Sequence, residues 1–221
     1  MLDRLDKAVL EKLLDTAVVG RTLFVKEAAA STNSLARKLA REGCPEGTVI
    51  VAHYQSGGRG RRGAAWFSPR GGLWLSVILS PRLEKPELFW LTLAAAEAVR
   101  ETTAKFCGLS AEIKWPNDVL IGPRKVCGIL TEAEGKGRGA RAVVGIGLNV
   151  NIRREDFPPD LRETATSLLI ETGRPQALMP LAAALLQEIE RLYLPLRRGE
   201  IIALKERFGD WLRSGVRGAL A

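Results

Sequence analysis

The sequence is poor in the side chains that bind transition metals and form disulfides. Its 221 residues include a single histidine, His53, and three cysteines, Cys44, Cys107 and Cys127. The cysteines are odd in number and widely spaced, so no pair has the spacing of zinc ligands. We therefore expect reduced thiols, a histidine that is packed or exposed, and no tightly bound metal held by protein ligands.

Long apolar runs are missing as well. The first 20 residues alternate charged side chains with leucine, and no later stretch is long and apolar enough to cross a bilayer. This composition predicts a cytoplasmic protein without a membrane partner. The net charge of +8 allows anionic partners such as a nucleotide, a nucleic acid or an acidic protein, and does not choose among them.

What the sequence does contain is an unusual arginine-rich segment, GRGRRG at residues 58–63, called here the arginine loop. Glycine lets the backbone approach a ligand closely, and arginine offers forked donors for phosphate or carboxylate oxygens. The same letters fit a dinucleotide-binding fingerprint, which requires a helix after the loop. Pro69 and the glycines at 71–72 exclude that helix. The loop is thus interpreted as a cationic lid over an anion, with a solvated hairpin tip as the alternative.

Hydrophobic periodicity predicts an α+β protein with a mixed β-sheet flanked by helices on one face. We expect a single domain over residues 1–221, with its core in 20–195 and a C-terminal helix and tail in 196–221. Helices are predicted at about 1–15, 31–42, 86–106, 175–194 and 200–212, strands at 21–27, 48–55, 73–80, 111–115, 119–121, 125–132 and 141–151, and a hairpin tip at 135–139.

Four further segments carry groups suited to a ligand site. Residues 31–33 (STN) place small polar groups at a helix N-terminus, and 114–118 (KWPND) place a cation beside Trp115, which could stack on a planar base. Residues 124–128 (RKVCG) join a cation to a glycine, and 145–149 (GIGLN) put two glycines on one face of a strand, clearing a groove. Their ordinary alternatives are helix capping, an Asx turn, a surface lysine and a bulge.

Together and in this order, the segments resemble the biotin protein ligases, the biotin–acetyl-CoA-carboxylase ligases. The resemblance is dense from about residue 20 to residue 152 and thins afterwards. It implies a catalytic domain with the fold of class II aminoacyl-tRNA synthetases. The matching residues are 31–33, Gln55, 58–63, 66–69 (WFSP), 71–76 (GGLWLS), 114–118, 125–130 (KVCGIL) and 145–149.

The resemblance also implies a reaction in two steps. ATP with Mg²⁺ activates biotin to biotinyl-5′-AMP, and biotin then passes to a lysine of biotin carboxyl carrier protein. Arg61 and Lys125 would be catalytic. Biotin would contact Ser31, Thr32, Asn33, Gln55, Gly58, Arg59, Gly60, Arg61, Lys125, Gly128, Gly145 and Gly147. The nucleotide would contact Arg61, Arg62, Trp66, Asn117, Asp118, Lys125 and Asn149. No ligand for Mg²⁺ is identified.

Some members of the family carry further domains. About 30 residues precede Ser31, which is too short for a winged helix-turn-helix, so we expect no specific DNA binding. Only 213–221 follow the last predicted helix, so the small β-barrel that the family usually has at that point is not expected. Residues 141–151 are the candidate sheet edge for a homodimer.

Other functions are kept as alternatives. A lipoyl or octanoyl transferase would share the fold but would lack the arginine-rich loop, because its acyl substrate has no ureido group. A non-catalytic module, either a ligase-like domain with impaired turnover or a basic nucleic-acid binder, is the second alternative. Nucleic-acid binders usually spread cations among aromatic side chains, whereas here the cations cluster in one loop.

Overall fold

The computed structural model describes residues 5–135 and 141–215, with the side chains of 210–215 left out. The predicted hairpin tip at 135–139 lies outside the described residues except for Gly135. The helices are α1 (Lys7–Leu13), α2 (Thr32–Arg41), α3 (Phe89–Cys107), α4 (Leu168–Thr172), α5 (Leu178–Arg197) and α6 (Ile202–Gly215). The strands are β1 (Leu23–Lys26), β2 (Val49–Ala52), β3 (Leu73–Leu79), β4 (Glu112–Lys114), β5 (Asp118–Ile121), β6 (Arg124–Glu134) and β7 (Arg141–Leu148).

All seven strands form one mixed sheet in the order β1-β2-β3-β7-β6-β5-β4. Strands β1 and β2 are parallel, and the other pairs are antiparallel. The predicted mixed sheet of an α+β protein is therefore confirmed. The prediction that 141–151 forms a free edge is wrong, because β7 lies between β3 and β6. Its small and β-branched residues are almost all buried, as expected for an interior strand.

The sheet buries both of its faces, and alternate residues of each strand point to opposite sides. Helices α3 and α5 cover one face, where Val49, Val51 and Val77 join the main hydrophobic core. Helix α2 covers the other face, and its Ala36 and Ala40 pack against Ile50, Ile78 and Val143. The expectation of helices on one face alone thus needs correction. The small alanine side chains let α2 pack closely against the sheet. The hydrophobic pattern of the sequence did not show which face of the sheet this helix covers.

The position of α2 matters for the site because the N-terminus of this helix lies over the middle of the sheet. Ser31 is in an extended conformation, and its Oγ accepts a hydrogen bond from the Ser34 backbone N–H. This is the expected cap of a helix that begins after a strand-to-helix turn. In the described part of the chain, no helix has the length and apolarity that a membrane crossing requires.

Candidate active site

A cavity of about 540 Å³ opens where the arginine loop, the N-terminus of α2 and strands β5 to β7 meet. Most of the residues predicted to bind ligands line it. They are Ser31, Thr32, Asn33, Gln55, Arg59, Gly60, Arg61, Trp66, Asn117, Asp118, Lys125, Gly128, Gly145, Gly147 and Asn149. Segments separated by more than a hundred residues in the chain thus meet around one space of ligand size.

Two predicted site residues, Gly58 and Arg62, are not part of the cavity wall. A Cβ at Gly58 would lie 2.4 Å from the Trp66 carbonyl oxygen and 2.5 Å from Ser68 Oγ, so this glycine permits the close approach of the two ends of the loop. Arg62 is exposed and has a φ of 54°, in the left-handed region. Their predicted roles as direct biotin and nucleotide contacts stay predictions, and the structure gives each a place in the loop itself.

The end of the cavity at α2 is lined by uncharged polar groups held by one another. Gln55 Oε1 accepts the Thr32 backbone N–H at 2.7 Å and lies 3.1 Å from Thr32 Oγ1. Gln55 Nε2 donates to Ser68 Oγ at 2.9 Å. Thr32 is 4% exposed, so its hydroxyl is removed from bulk water. Such a fixed set of donors and acceptors suits a neutral polar head group.

Asn33 lies directly behind this polar end. Its Nδ2 donates to the Leu130 carbonyl oxygen at 3.1 Å and to Glu132 Oε2 at 3.0 Å, while its Oδ1 lies 2.6 Å from the hydroxyl of Ser76. Every polar atom of the Asn33 side chain therefore has a protein partner. Asn33 supports the site through these bonds and also lines the cavity, and its predicted contact with biotin stays a prediction.

The arginine loop is fixed to β6 at its base and to the β4–β5 turn near its tip. Arg59 donates through Nη2 to both oxygens of Glu132, at 2.9 and 3.1 Å. Arg61 donates through Nη1 to Asn117 Oδ1 at 3.1 Å. Arg59 and Arg61 are both exposed, so these contacts hold the loop without burying its charge. The guanidinium of Arg61 reaches the cavity wall, as the lid hypothesis requires.

Lys125 supplies a second cation from β6. Its Nζ lies 2.6 Å from Asp118 Oδ1 and 4.9 Å from the centre of the Trp66 ring. Lys114 also lines the cavity. Three cations and one carboxylate thus face this part of the cavity, which favours an anionic ligand.

The glycines of β6 and β7 do not leave an empty groove. A Cβ on Gly147 would lie 2.3 Å from Trp66 Nε1, and one on Gly128 would lie 2.9 Å from the same indole. A Cβ on Gly145 would lie 2.0 Å from Asn33 Oδ1. The prediction that these glycines leave an open groove is therefore wrong. The glycines border the cavity, and the space that their missing side chains leave is filled by Trp66 and Asn33.

Trp115 is not the stacking surface that the KWPND motif suggested. Its ring packs against Phe89 in an edge-to-face contact, with the ring centroids 6.1 Å apart, and it joins the main core. It does not line the cavity, whereas Trp66 does. Trp66 therefore offers the aromatic surface, and its Nε1 is buried without a hydrogen-bond partner in the described structure.

One wall of the cavity comes from a segment that the sequence analysis did not assign to the site. Phe157, Leu161, Thr164 and Ala165 line it, and the Lys125 backbone N–H donates to the Thr164 carbonyl oxygen at 2.8 Å. The only local signal is the proline pair at 158–159, which marks a turn but does not reveal which strand the turn contacts. The segment adds apolar surface beside the cations.

The described residues contain no cluster of three or more histidine, cysteine, aspartate or glutamate side chains able to hold a metal ion. Asp118 is the carboxylate that lines the cavity. Magnesium ions are commonly held by one or two carboxylates together with substrate phosphates. The donor set therefore fits a magnesium ion that enters with a nucleotide, and it does not form an all-protein metal cage.

Comparisons with known proteins agree with this geometry. The family model described as "Biotin/lipoate A/B protein ligase family" matches residues 25–149. The bifunctional ligase/repressor BirA of Bacillus spizizenii is 41% identical over 162 residues, which cover 72% of this chain and 50% of the relative. The biotin–[acetyl-CoA-carboxylase] ligase of Mycobacterium tuberculosis is 34% identical over 203 residues, which cover 85% of this chain and 72% of that protein.

A solved structure shows the same fold. The biotin protein ligase of Aquifex aeolicus in complex with biotin and ATP has a TM-score of 0.72 and 30% identity, with coverage of 80% of this chain and 72% of that one. The match covers 50% of the BirA relative, so the chain spans about half the length of that protein.

Proposed function

Because this chain belongs to the biotin/lipoate A/B protein ligase family, we propose that it activates biotin with ATP and transfers the biotinyl group to a protein lysine. The observation that carries this proposal is the division of one cavity into two ends. A neutral hydrogen-bonding end at Thr32 and Gln55 lies beside a cationic end at Arg61 and Lys125. Biotin has a matching polarity, with a neutral ureido ring at one end and a carboxylate at the other.

In the first step, a biotin carboxylate oxygen attacks the α-phosphorus of ATP, and the bond to pyrophosphate breaks. Two anions must approach each other, so cations are needed to hold them in line. Arg61 and Lys125 are the groups that we assign to this task, and Lys114 adds charge at the same end. When bound with the nucleotide, Mg²⁺ would neutralise phosphate charge, with Asp118 as the available carboxylate.

In the second step, a lysine amine attacks the acyl carbon of biotinyl-AMP, AMP leaves, and the nitrogen loses a proton. The mixed anhydride must be shielded from water until the acceptor arrives. We assign this role to the arginine loop because it borders the cavity and is held by side-chain contacts at its base to β6 and near its tip to the β4–β5 turn. We propose biotin carboxyl carrier protein as the acceptor, on the basis of the relative's name.

The direct test is incubation of the purified chain with biotin, ATP and Mg²⁺. The expected product is biotinyl-AMP, identified by mass spectrometry, with release of pyrophosphate. Adding an apo carrier domain should then produce a mass increase of one biotinyl group on a single lysine. Absence of biotinyl-AMP while biotin still binds would leave only the binding-module alternative.

Lipoate in place of biotin is the matched control for substrate class. It has a carboxylate and an aliphatic tail but no ureido ring, so it cannot satisfy Thr32 and Gln55. We expect calorimetry to show biotin binding without comparable lipoate binding. Tight lipoate binding without biotin binding would favour the acyl transferases that share this fold.

A further inference from the structure

Behind the polar end of the cavity runs a buried chain of hydrogen bonds that the proposed reaction does not use directly. It leads from Glu132 through Asn33 and Ser76 to Thr32. Ser76 lies on β3, is 0% exposed and is not among the residues that line the cavity. A hydroxyl at this depth, in a strand that is otherwise apolar, needs partners, and it has two.

The orientation of the Asn33 amide is fixed by what surrounds it. The Leu130 carbonyl and the Glu132 carboxylate can only accept hydrogen bonds, so the amide group that faces them must be the NH₂. The amide oxygen is consequently turned towards Ser76. Because that oxygen can only accept, the 2.6 Å contact requires the Ser76 hydroxyl to donate its proton to Asn33.

The same count of donors and acceptors fixes the direction in which the Thr32 hydroxyl donates its proton. Ser76 has one proton, and that proton is already directed at Asn33. The 2.8 Å contact between Ser76 Oγ and Thr32 Oγ1 therefore requires Thr32 to be the donor. Gln55 Oε1 is the second possible acceptor of this proton, but it already accepts the Thr32 backbone N–H at 2.7 Å and is more distant from Thr32 Oγ1, at 3.1 Å. With its proton committed to Ser76, the Thr32 hydroxyl can offer only lone pairs to a ligand.

We infer that Ser76 is a positioning residue that fixes the Thr32 hydroxyl as a hydrogen-bond acceptor, so that the site selects a ligand with an N–H group at that point. The inference rests on the proposed function, in which the ureido ring of biotin supplies the N–H. It adds a residue that contacts no substrate and acts through another. The selectivity arises because a ligand acceptor placed against Thr32 would leave two buried lone pairs facing each other.

The test compares biotin with its two cyclic carbamate analogues, in each of which one ureido N–H is replaced by a ring oxygen. Binding is measured by calorimetry without nucleotide. In the unaltered protein, the more strongly rejected carbamate should bind ~10²-fold more weakly than biotin, because a site built to accept a hydrogen bond is then left unpaired. The measured quantity is this affinity ratio, which a general loss of structure does not change.

Ser76→Ala removes the nearer of the two protein acceptors of the Thr32 proton and leaves the more distant Gln55 Oε1, so the proton can turn towards the ring oxygen of the carbamate. We expect the affinity ratio to fall about tenfold, while biotin itself loses only a few-fold in affinity. Ser76→Cys keeps a weak donor and acceptor in nearly the same volume, so it should give an intermediate ratio. It also keeps the test available if the alanine variant does not fold.

The control is Thr92→Val. Thr92 on α3 makes a hydroxyl–hydroxyl contact of 2.7 Å with Thr131, and neither residue lines the cavity. This variant removes a similar partly buried hydrogen bond and should keep the ratio of the unaltered protein. An unchanged ratio in both Ser76 variants, with equal weakening of all ligands, would overturn the inference and leave the proposed function intact. A protein that binds no biotin at all would overturn the proposed function and this inference with it.

Discussion

Arg61 and Lys125 reach the cavity from different elements, one from the arginine loop and the other from β6. Neither guanidinium nor ammonium is buried deeply, and each has a partner that offers a side-chain oxygen, Asn117 and Asp118. Asn117 is the last residue of the turn between β4 and β5, and Asp118 is the first residue of β5. These two adjacent residues therefore set the spacing of the two cations before any ligand arrives, which is the preorganisation that charge stabilisation requires.

We predict that Arg61→Ala lowers the rate of biotinyl-AMP formation ~10²-fold, as when a preorganised donor is removed from a developing charge. Pyrophosphate release at saturating biotin and ATP measures it. Arg198→Ala is the control, because the ion pair of Arg198 with Glu200 lies on the surface, far in sequence from the residues that line the cavity. A rate equal to that of the control would remove Arg61 from the catalytic site.

Lys125→Ala should cause a loss of similar size. The double variant should lose less than the product of the two single effects, because both cations act on one transition state.

At the scale of elements, the arginine loop depends on Glu132 of β6. This carboxylate binds Arg59, Arg37 of α2 and Asn33, so it joins a loop, a helix and a strand. Glu134, two residues further along β6, pairs with Arg37 and Arg41 of α2, and the described structure shows no ion pair between it and the loop. The hydrogen bond from Arg37 helps to keep the pKa of Glu134 below its usual range. The two carboxylates therefore form a matched pair for testing the loop.

We predict that Glu132→Gln speeds tryptic cleavage after the loop arginines about threefold to tenfold, as expected when a partly buried ion pair worth roughly 1 kcal/mol is lost. Glu134→Gln should leave the cleavage rate unchanged. Limited proteolysis followed by mass spectrometry locates the cut sites. Equal cleavage in both variants would show that the Arg59 contact does not restrain the loop.

A second prediction concerns the packing of the Trp66 indole against Gly147 of β7. Gly147→Ala should lower the free energy of unfolding by about 1–3 kcal/mol, because the new methyl group overlaps the indole in an interior that is already filled. Thermal unfolding measures the effect. Gly57→Ala is the control, since its Cβ would come no closer than 3.4 Å to the Ala30 carbonyl oxygen. A Gly147 variant as stable as this control would mean that Trp66 moves aside freely.

The sequence was informative where function depends on short segments. The arginine loop, the polar N-terminus of α2 and the KWPND motif were all predicted as parts of a site, and they meet at the cavity. It was uninformative where partners are far apart in the chain. Ser76 meets Asn33 across 43 positions, and Arg59 meets Glu132 across 73. Local patterns also could not place β7 in the middle of the sheet, because hydrophobic periodicity identifies a strand without identifying its neighbours.

At the scale of the whole molecule, Glu190 of α5 holds the segment before β1 in place. Glu190, 8% exposed, accepts the backbone N–H groups of Ala17, Val18 and Val19 at 2.7, 2.7 and 2.8 Å. The carboxylate satisfies these backbone donors in the same way as a side-chain cap does at the N-terminus of a helix. It joins the approach to β1 to the helix that covers the main core.

We predict that Glu190→Ala lowers the free energy of unfolding by about 3 kcal/mol or more, because three N–H groups lose a charged acceptor. Urea unfolding measures the change. Glu188→Ala on the same helix is the control, because its ion pairs with Lys105 and Arg191 lie at the surface and should contribute no more than about 1 kcal/mol. Equal losses in the two variants would contradict the role assigned to Glu190.

This clamp also has a consequence for biosynthesis. Val19 and Glu190 are separated by 171 positions, so residues 17–19 leave the ribosome well before the helix that carries their acceptor. At the usual pace of translation, the delay is about 10–30 s. During that interval the nascent chain carries the backbone donors of residues 17–19 without their acceptor. Chaperone dependence during synthesis is therefore expected to be greatest before α5 emerges.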